Sequence, residues 1–223
     1  MKNQIVLITG ASQGIGHALA QLYLQKGFQV IGTSRSGKID ISDPAFEAIS
    51  LDLSQMNSIK VFEEQFSRKG LKIDQLINNA GIGPDLGYSF PEESSFDKTF
   101  DVNVKGQVFF TESMIKHLNK GAKLINVSSK MGSIKQCVGT DSVAYRMSKT
   151  ALNMYTKILT NRYAGQFQIA TIHPGWVRTN ISGDNTQGRF SPEESANLIY
   201  QFVNNHFKNG IFWNVETGAE SEW

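Results

Sequence analysis

Tyr145 and Lys149 are the two side chains whose types and spacing best suit proton transfer in this 223-residue sequence. They stand four residues apart in Val143 to Tyr163, where apolar residues recur at three- and four-residue steps. That period predicts a helix projecting both side chains from one face. A free phenol has a pKa of about 10 and releases its proton reluctantly at neutral pH. A neighbouring ammonium favours the phenolate and brings the group toward the range useful for acid and base work. The plainer account is a tyrosine beside a solvated lysine on an amphipathic helix, so corroboration has to come from elsewhere in the chain.

A second chemistry resides in Thr9-Gly10-Ala11-Ser12-Gln13-Gly14-Ile15-Gly16, which follows a predicted strand and opens a predicted helix. Glycines there permit a tight bend and close backbone approach to a pyrophosphate, while the helix N-terminus offers free N–H donors and the positive end of its dipole. A structural turn would look similar, and glycines at 10, 14 and 16 depart from the Gly-x-Gly-x-x-Gly spacing. His17, His117, His173 and His206 show no metal-ligand spacing, and Cys137 has no nearby histidine, so neither metal nor thiol chemistry is expected. His173, before Pro174 at a strand end, reads as a packed histidine that could also touch a pocket.

These groups need a scaffold, and the sequence describes an α/β one. Strands are predicted at Gln4 to Thr9, Gln29 to Ser34, Ala48 to Leu51, Ile73 to Asn78, Ala122 to Ser128, Gln168 to His173 and Ile211 to Trp213. Helices are predicted at Gly14 to Gln25, Met56 to Arg68, Phe96 to Leu118, Val143 to Tyr163 and Pro192 to Phe207. The alternation predicts one doubly wound domain over residues 1–223, with about seven mostly parallel strands and helices on both faces. No linker, repeat or low-complexity tract divides the chain. With 22 basic and 20 acidic side chains there is no basic stripe for nucleic acid or an anionic membrane. A single cysteine excludes an intrachain disulfide, no apolar run reaches the roughly 20 residues of a membrane helix, and Met1 to Gly10 lacks a signal peptide's regions, so a cytoplasmic protein is expected.

Four further segments stand in order along the chain: Asp52 after the third strand, Asn78-Asn79-Ala80-Gly81 after the fourth, Val102-Asn103-Val104-Lys105-Gly106, and Tyr145-Arg146-Met147-Ser148-Lys149. With the glycine turn and Pro174-Gly175-Trp176-Val177-Arg178-Thr179, they resemble the short-chain dehydrogenase/reductase family from about Ile5 to Thr179. Ser191-Pro192-Glu193-Glu194-Ser195 and the Trp-containing tail look like the carbonyl-reductase branch with sniffer and C-factor-like proteins. The resemblance implies a Rossmann domain binding NAD(P), with Tyr145 as proton donor to a carbonyl and Lys149 tuning it and bonding the nicotinamide ribose. It makes Ser129 the hydroxyl that meets the developing oxyanion, with Ser128 as the alternative, and gives Asn103 a water linking Lys149 to solvent. Ser129 lies 16 positions before Tyr145, a longer gap than is usual in the family, which implies an insertion between Met131 and Val143.

By the same resemblance Gly10, Ser12, Gln13, Gly14, Ile15 and Gly16 cradle the cofactor phosphates, and Asp52 and Leu53 meet the adenine. Asn79, Ala80 and Gly81 line the ribose, and Pro174, Gly175, Val177 and Thr179 lie by the carboxamide and phosphate. At the end of the second strand Gly32-Thr33-Ser34-Arg35-Ser36 has no carboxylate for ribose hydroxyls, whereas Arg35 can fork onto a 2′-phosphate and Ser34 can donate to it. NADP(H) is therefore favoured over NAD(H), against the absence of a second basic residue at Gln13. Tyr88, Met131, Val138, Trp176 and Phe190 would surround the nicotinamide end and suggest a small apolar aldehyde or ketone. Asn180 to Phe190, in a substrate-side stretch reaching residue 207, reads as a lid or a plain surface loop. A homodimer paired through the long helices is expected. The rival readings are a nucleotide-sensing signalling protein without turnover and a nucleotide-sugar dehydratase or epimerase, the latter normally longer after Thr179.

Overall fold

In the computed structural model, which describes residues 4–181, 183 and 185–223, the short β-branched runs assemble into a single sheet of eight strands. In chain order the elements begin β1 (Ile5–Ile8), α1 (Gly14–Gln25), β2 (Gln29–Ser34), β3 (Phe46–Ser50), α2 (Met56–Arg68) and β4 (Ile73–Asn78). They continue α3 (Glu93–Phe100), α4 (Gln107–Met114), β5 (Leu118–Val127), α5 (Val143–Arg162), β6 (Gln168–His173), α6 (Pro192–Asn204), β7 (Ile211–Asn214) and β8 (Ala219–Glu220). The strand order is β3-β2-β1-β4-β5-β6-β7-β8, parallel throughout except for β8. The order reverses after β1, and the crevice beyond the carboxyl ends at such a switch point is where open α/β sheets bind ligands.

Both faces of the sheet are covered, which is why its strands read as nearly continuous apolar runs. Val6 and Ile8 of β1 pack with Leu19 and Tyr23 of α1 and Ile199 and Val203 of α6. Ile5 and Leu7, pointing the opposite way, pack with Phe62 and Phe66 of α2, Phe110 of α4, and Leu152 and Leu159 of α5. Each such fully buried side chain contributes about 1.5–3 kcal/mol of burial free energy. Helix α6 starts on a capping box: Ser191 Oγ accepts from the Glu194 N–H at 3.2 Å, Glu194 Oε2 accepts from the Ser191 N–H at 2.7 Å, and Pro192 occupies the first turn.

The expected single helix from Phe96 to Leu118 is instead four pieces. It starts earlier, at Glu93, passes through a π-helical turn over Asp101–Gly106, resumes as α4, and closes in a 3₁₀ turn over Ile115–His117 before β5 starts at Leu118. Its apolar periodicity masks the breaks, because a π turn shifts the buried face by only one residue. Helix α6 ends at Asn204 rather than Phe207, since Asn205 is extended and Phe207 folds back into the core. The eighth strand, two residues long, was too short for alternation to reveal.

Candidate active site

The turn between β1 and α1 is built on contacts that exclude side chains. A Cβ at Gly16 would fall 2.2 Å from the Gly10 carbonyl oxygen, and one at Gly10, where φ is +68°, would fall 2.9 Å from Ala80 Cα. The backbone of α1 is thereby drawn against the strand, with Asn79 Nδ2 donating to the Thr9 and Gly10 carbonyl oxygens at 2.9 and 3.2 Å. Helix α1 has no acidic side chain in its first turn, and Gln13 at its N-cap makes no side-chain capping bond. Its N–H groups thus remain available to an anion.

From this turn a cleft of about 660 Å³ extends along the carboxyl ends of the strands. Ser34, Arg35 and Asp52 wall one end, Ser12 to Ile15 and Asn79 to Gly81 the middle, and Tyr145 and Lys149 are part of the same wall. Leu53, Pro174 and Thr179 also face it. Gly16, Gly175 and Val177 do not line it: Gly16 is beneath the turn, the Phe190 ring lies where a Gly175 Cβ would be, and buried Val177 is bridged to Phe190. Sequence reasoning missed Lys98, Asp101, Ser54, Gln55 and Arg178 on the wall, and only Arg178 sat in a segment already singled out.

Tyr145 and Lys149 project together from α5, with the Lys149 ammonium 5.6 Å from the Tyr145 ring centroid. Lys149 Nζ donates to the Val127 carbonyl at 3.0 Å. Burial pushes the Tyr145 phenol up to about 12; the Ser129 hydroxyl acts against that rise and the Asp85 carboxylate adds to it. Burial also pulls the Lys149 ammonium down to about 8. The lowered phenol expected from the sequence is thus not a property of the free site, where both groups are held out of water.

A lysine whose folded-state pKa lies below its ordinary 10.5 binds fewer protons folded than unfolded between about pH 8 and 10.5, so its contribution to stability rises with pH across that window. In cofactor-free protein, wild type is expected to gain stability relative to Lys149→Met between those limits, approaching about 3 kcal/mol. Denaturant titrations of both chains at several pH values check this; a difference independent of pH would mean that Lys149 is not a buried cation.

Around the pair, neighbouring strands are tied by buried polar bonds. Asn78 Nδ2 donates to Thr111 Oγ1 and Asn126 Oδ1, each at 2.8 Å, and Asn126 Nδ2 donates to Thr156 Oγ1 at 2.8 Å, joining β4 and β5 to α4 and α5. Asn103 lies in the π turn, fully buried; its amide donates to the Ile82 carbonyl at 2.7 Å and Ser148 Oγ at 3.1 Å, and its oxygen accepts from the Ile82 N–H at 2.9 Å. Its side chain therefore fastens the loop after β4 to α5. Ser128 Oγ donates to the Lys149 carbonyl at 3.3 Å, along the helix, while Ser129 Oγ accepts from the Met131 N–H at 3.1 Å and influences Tyr145. Gly132, ending the 3₁₀ turn Lys130–Gly132, lets that turn rest on Lys149, whose Cβ would be 2.8 Å from a Cβ at 132.

The segment from Ser133 to Ser142 has no regular element, and it exposes Ile134 and Val138. Tyr88 and Trp176 are also largely exposed. Of the expected lid stretch, Pro192–Asn204 is helix α6, packed in the core, while Ser182 and Asp184 lie outside the described residues. Among the described residues, no group of three or more His, Cys, Asp or Glu is arranged to hold a metal, and no helix is long and apolar enough to cross a membrane.

A parallel sheet with this strand order, a glycine turn at its switch point and a Tyr–Lys pair on the following wall define a nucleotide-binding oxidoreductase class. The family model described as short chain dehydrogenase matches residues 4–189, and the chain belongs to that family. It is an NAD(P)-dependent oxidoreductase. The chain is similar in structure to the NADPH-bound carbonyl reductase from chicken fatty liver, at 26% identity and TM-score 0.87, with all of both chains covered. It is likewise similar to the carbonyl reductase Sniffer of D. melanogaster, at 25% identity and TM-score 0.85 with all of both chains covered. An uncharacterized oxidoreductase of Methylorubrum extorquens is 29% identical over 212 residues, 90% of this chain and 83% of that one.

Proposed function

We propose that the protein is an NADPH-preferring reductase of a small apolar aldehyde or ketone. The observation that carries this reading is one continuous cleft with Arg35 and the free N-terminus of α1 on the same wall as Tyr145 and Lys149. Arg35 is exposed and makes no ion pair among the described residues, which leaves its guanidinium free for a 2′-phosphate. The NADPH bound by the chicken carbonyl reductase supports the same choice.

When bound, NADPH supplies a hydride to the carbonyl carbon. As the C=O π pair moves onto oxygen, Tyr145 Oη gives its proton to that oxygen and becomes phenolate, and Ser129 Oγ donates a hydrogen bond to the developing charge. Lys149 stabilises the phenolate and bonds the nicotinamide ribose, while Asn103 holds the loop and helix that frame them. On the substrate side Tyr88 and Trp176 offer apolar surface. A cytoplasmic location agrees with this use of NADPH.

Following NADPH absorbance across a panel of aldehydes, ketones and quinones tests the reading. Tight nucleotide binding without turnover on any of them would overturn it. No observation in the structure favours a nucleotide sensor without turnover.

Helices α4 and α5 leave an apolar stripe uncovered: Phe109 on the first, and Met147, Met154 and Ile158 on one face of the second, are 44% to 63% exposed. A homodimer that buries this stripe about a twofold axis is the expected assembly. Light scattering at micromolar protein should report twice the chain mass, and Met154→Glu should shift it toward monomer; a monomeric wild type would refute the pairing.

A further inference from the structure

The start of α5, one turn before the Tyr–Lys pair, lacks an ordinary cap. Ser142 at its N-cap has φ +57° and ψ +44°, and its hydroxyl makes no bond to the helix. That hydroxyl accepts instead from the Gly87 N–H at 3.0 Å, and the Ser142 N–H donates to the Tyr88 carbonyl at 2.9 Å. The cap comes from 59 residues upstream: Asp85 Oδ2 accepts from the Ala144 N–H at 2.8 Å and the Tyr145 N–H at 3.2 Å. A carboxylate at a helix N-terminus is favoured by the dipole and by the free N–H groups.

Capping alone does not account for Asp85. The residue is 2% exposed, and its second oxygen, Oδ1, is buried with no hydrogen-bond partner. A neutral asparagine or serine would supply a cap of comparable strength without a buried charge. The start of the loop it belongs to is closely tied to the site: Ile82 is bonded twice to Asn103, and a Cβ at Gly83 would be 3.1 Å from the Tyr145 ring.

We propose that Asp85 is a positioning residue that anchors the N-terminus of α5 beneath Tyr145 and whose negative charge, adding to the effect of burial, favours phenol over phenolate and so extends carbonyl reduction to higher pH. This rests on the reading of Tyr145 as proton donor. A nearby anion disfavours phenolate, the form needed to accept a proton in oxidation, and favours phenol, the form that donates one in reduction. The charged groups set against Tyr145 are Asp85 from the loop after β4 and Lys149 from α5; the end of β5 offers neutral Ser129 and the π turn neutral Asn103. Arg146, in the first turn of α5, is paired at 2.7 Å with Asp141, which precedes the helix. Asp85 and burial thus act together against the Lys149 ammonium, and they set the pH range over which the phenol can donate.

The test is Asp85→Asn, which keeps an oxygen acceptor for the helix and removes the charge. Tyr145 ionisation is read as the phenolate ultraviolet difference between each chain and its Tyr145→Phe counterpart, with oxidised NADP bound. The midpoint should fall by about one pH unit on removing the charge. The alkaline limb of the reduction profile and the acid limb of the oxidation profile should move down with it, while KM for the carbonyl stays unchanged. Asp85→Ser, a neutral cap of different shape, should shift the midpoint in the same direction and serves if the asparagine variant does not fold. A midpoint that stays within roughly 0.3 unit while Tm falls would reduce Asp85 to a helix cap. If the native chain turns over no carbonyl, the reductase reading fails, and the absorbance titration still decides the role of Asp85.

Discussion

Replacing Tyr145 by Phe is expected to lower kcat for carbonyl reduction by about 10²- to 10⁴-fold, the range credited to a positioned acid, while nucleotide affinity and Tm stay close to wild type. The ring supplies the packing, since Tyr145 is 7% exposed and its ring lies beside Gly83 and below the Lys149 ammonium. The hydroxyl faces Ser129 and the cleft and supports no strand or helix. Removing it therefore deletes a transferable proton and little of the fold. Single-turnover rates with saturating NADPH, read beside nucleotide affinity by fluorescence, separate the two effects. Turnover within about threefold of wild type would remove Tyr145 from the chemistry, because a general acid is worth far more.

Arg35→Asp is expected to reverse the nucleotide preference. The guanidinium lies at the carboxyl end of β2 on the cleft wall, exposed and without an ion-pair partner among the described residues, so the substitution breaks no internal bond. Loss of one charge-assisted contact to a 2′-phosphate, about 1.5–3 kcal/mol, corresponds to roughly ten- to a hundredfold in affinity, and repulsion from the new carboxylate adds to it. NADH gains at the same time, because the carboxylate can accept from ribose hydroxyls. Ser34 softens the loss only slightly, since its hydroxyl is already turned to the Lys38 carbonyl at 3.1 Å. The ratio of kcat/KM for the two nucleotides at fixed ionic strength is the measurement, as exposed charge contacts are screened by salt. A wild type that prefers NADH, or a variant that keeps its preference for NADPH, would show Arg35 to be a solvated surface charge.

Local signals carried much of the architecture. Helices α1 and α2 and strands β2, β4 and β6 have the bounds the sequence indicates, because each lies between turn residues, the helices burying one face and the strands forming short, nearly continuous apolar runs. The i, i+4 spacing of Tyr145 and Lys149 likewise placed both on one wall. Interactions over long sequence separations were not legible. Asp85 sat in an unremarked Gly-Pro-Asp-Leu-Gly loop, and its tie to α5 exists only once the sheet has brought β4 and β5 together. Asn103 was singled out by motif, yet its bonds to Ile82 and Ser148 depend on a helical irregularity that apolar periodicity cannot report. The phenol's upward displacement was hidden for a related reason: burial is a property of the packed molecule, and charge spacing in the sequence gives only the opposing influence.

The π-helical turn at Asp101–Gly106 sets a conflict between durability and use. Such a turn amounts to one residue more than an α-helix needs, and its wider ring has weaker backbone bonds. Deleting a residue there would let α3 and α4 fuse into one regular helix, a change that tends to strengthen the element locally. The flanking faces would stay aligned, because the wide turn had absorbed the extra residue, but Asn103 would lose the widened backbone from which its amide reaches both Ile82 and Ser148. Length is therefore a functional parameter of this segment, separate from composition. Any search for hardier variants that admits deletions in residues 101–106 selects against the loop anchor, whereas substitutions that preserve the count leave both properties open to improvement.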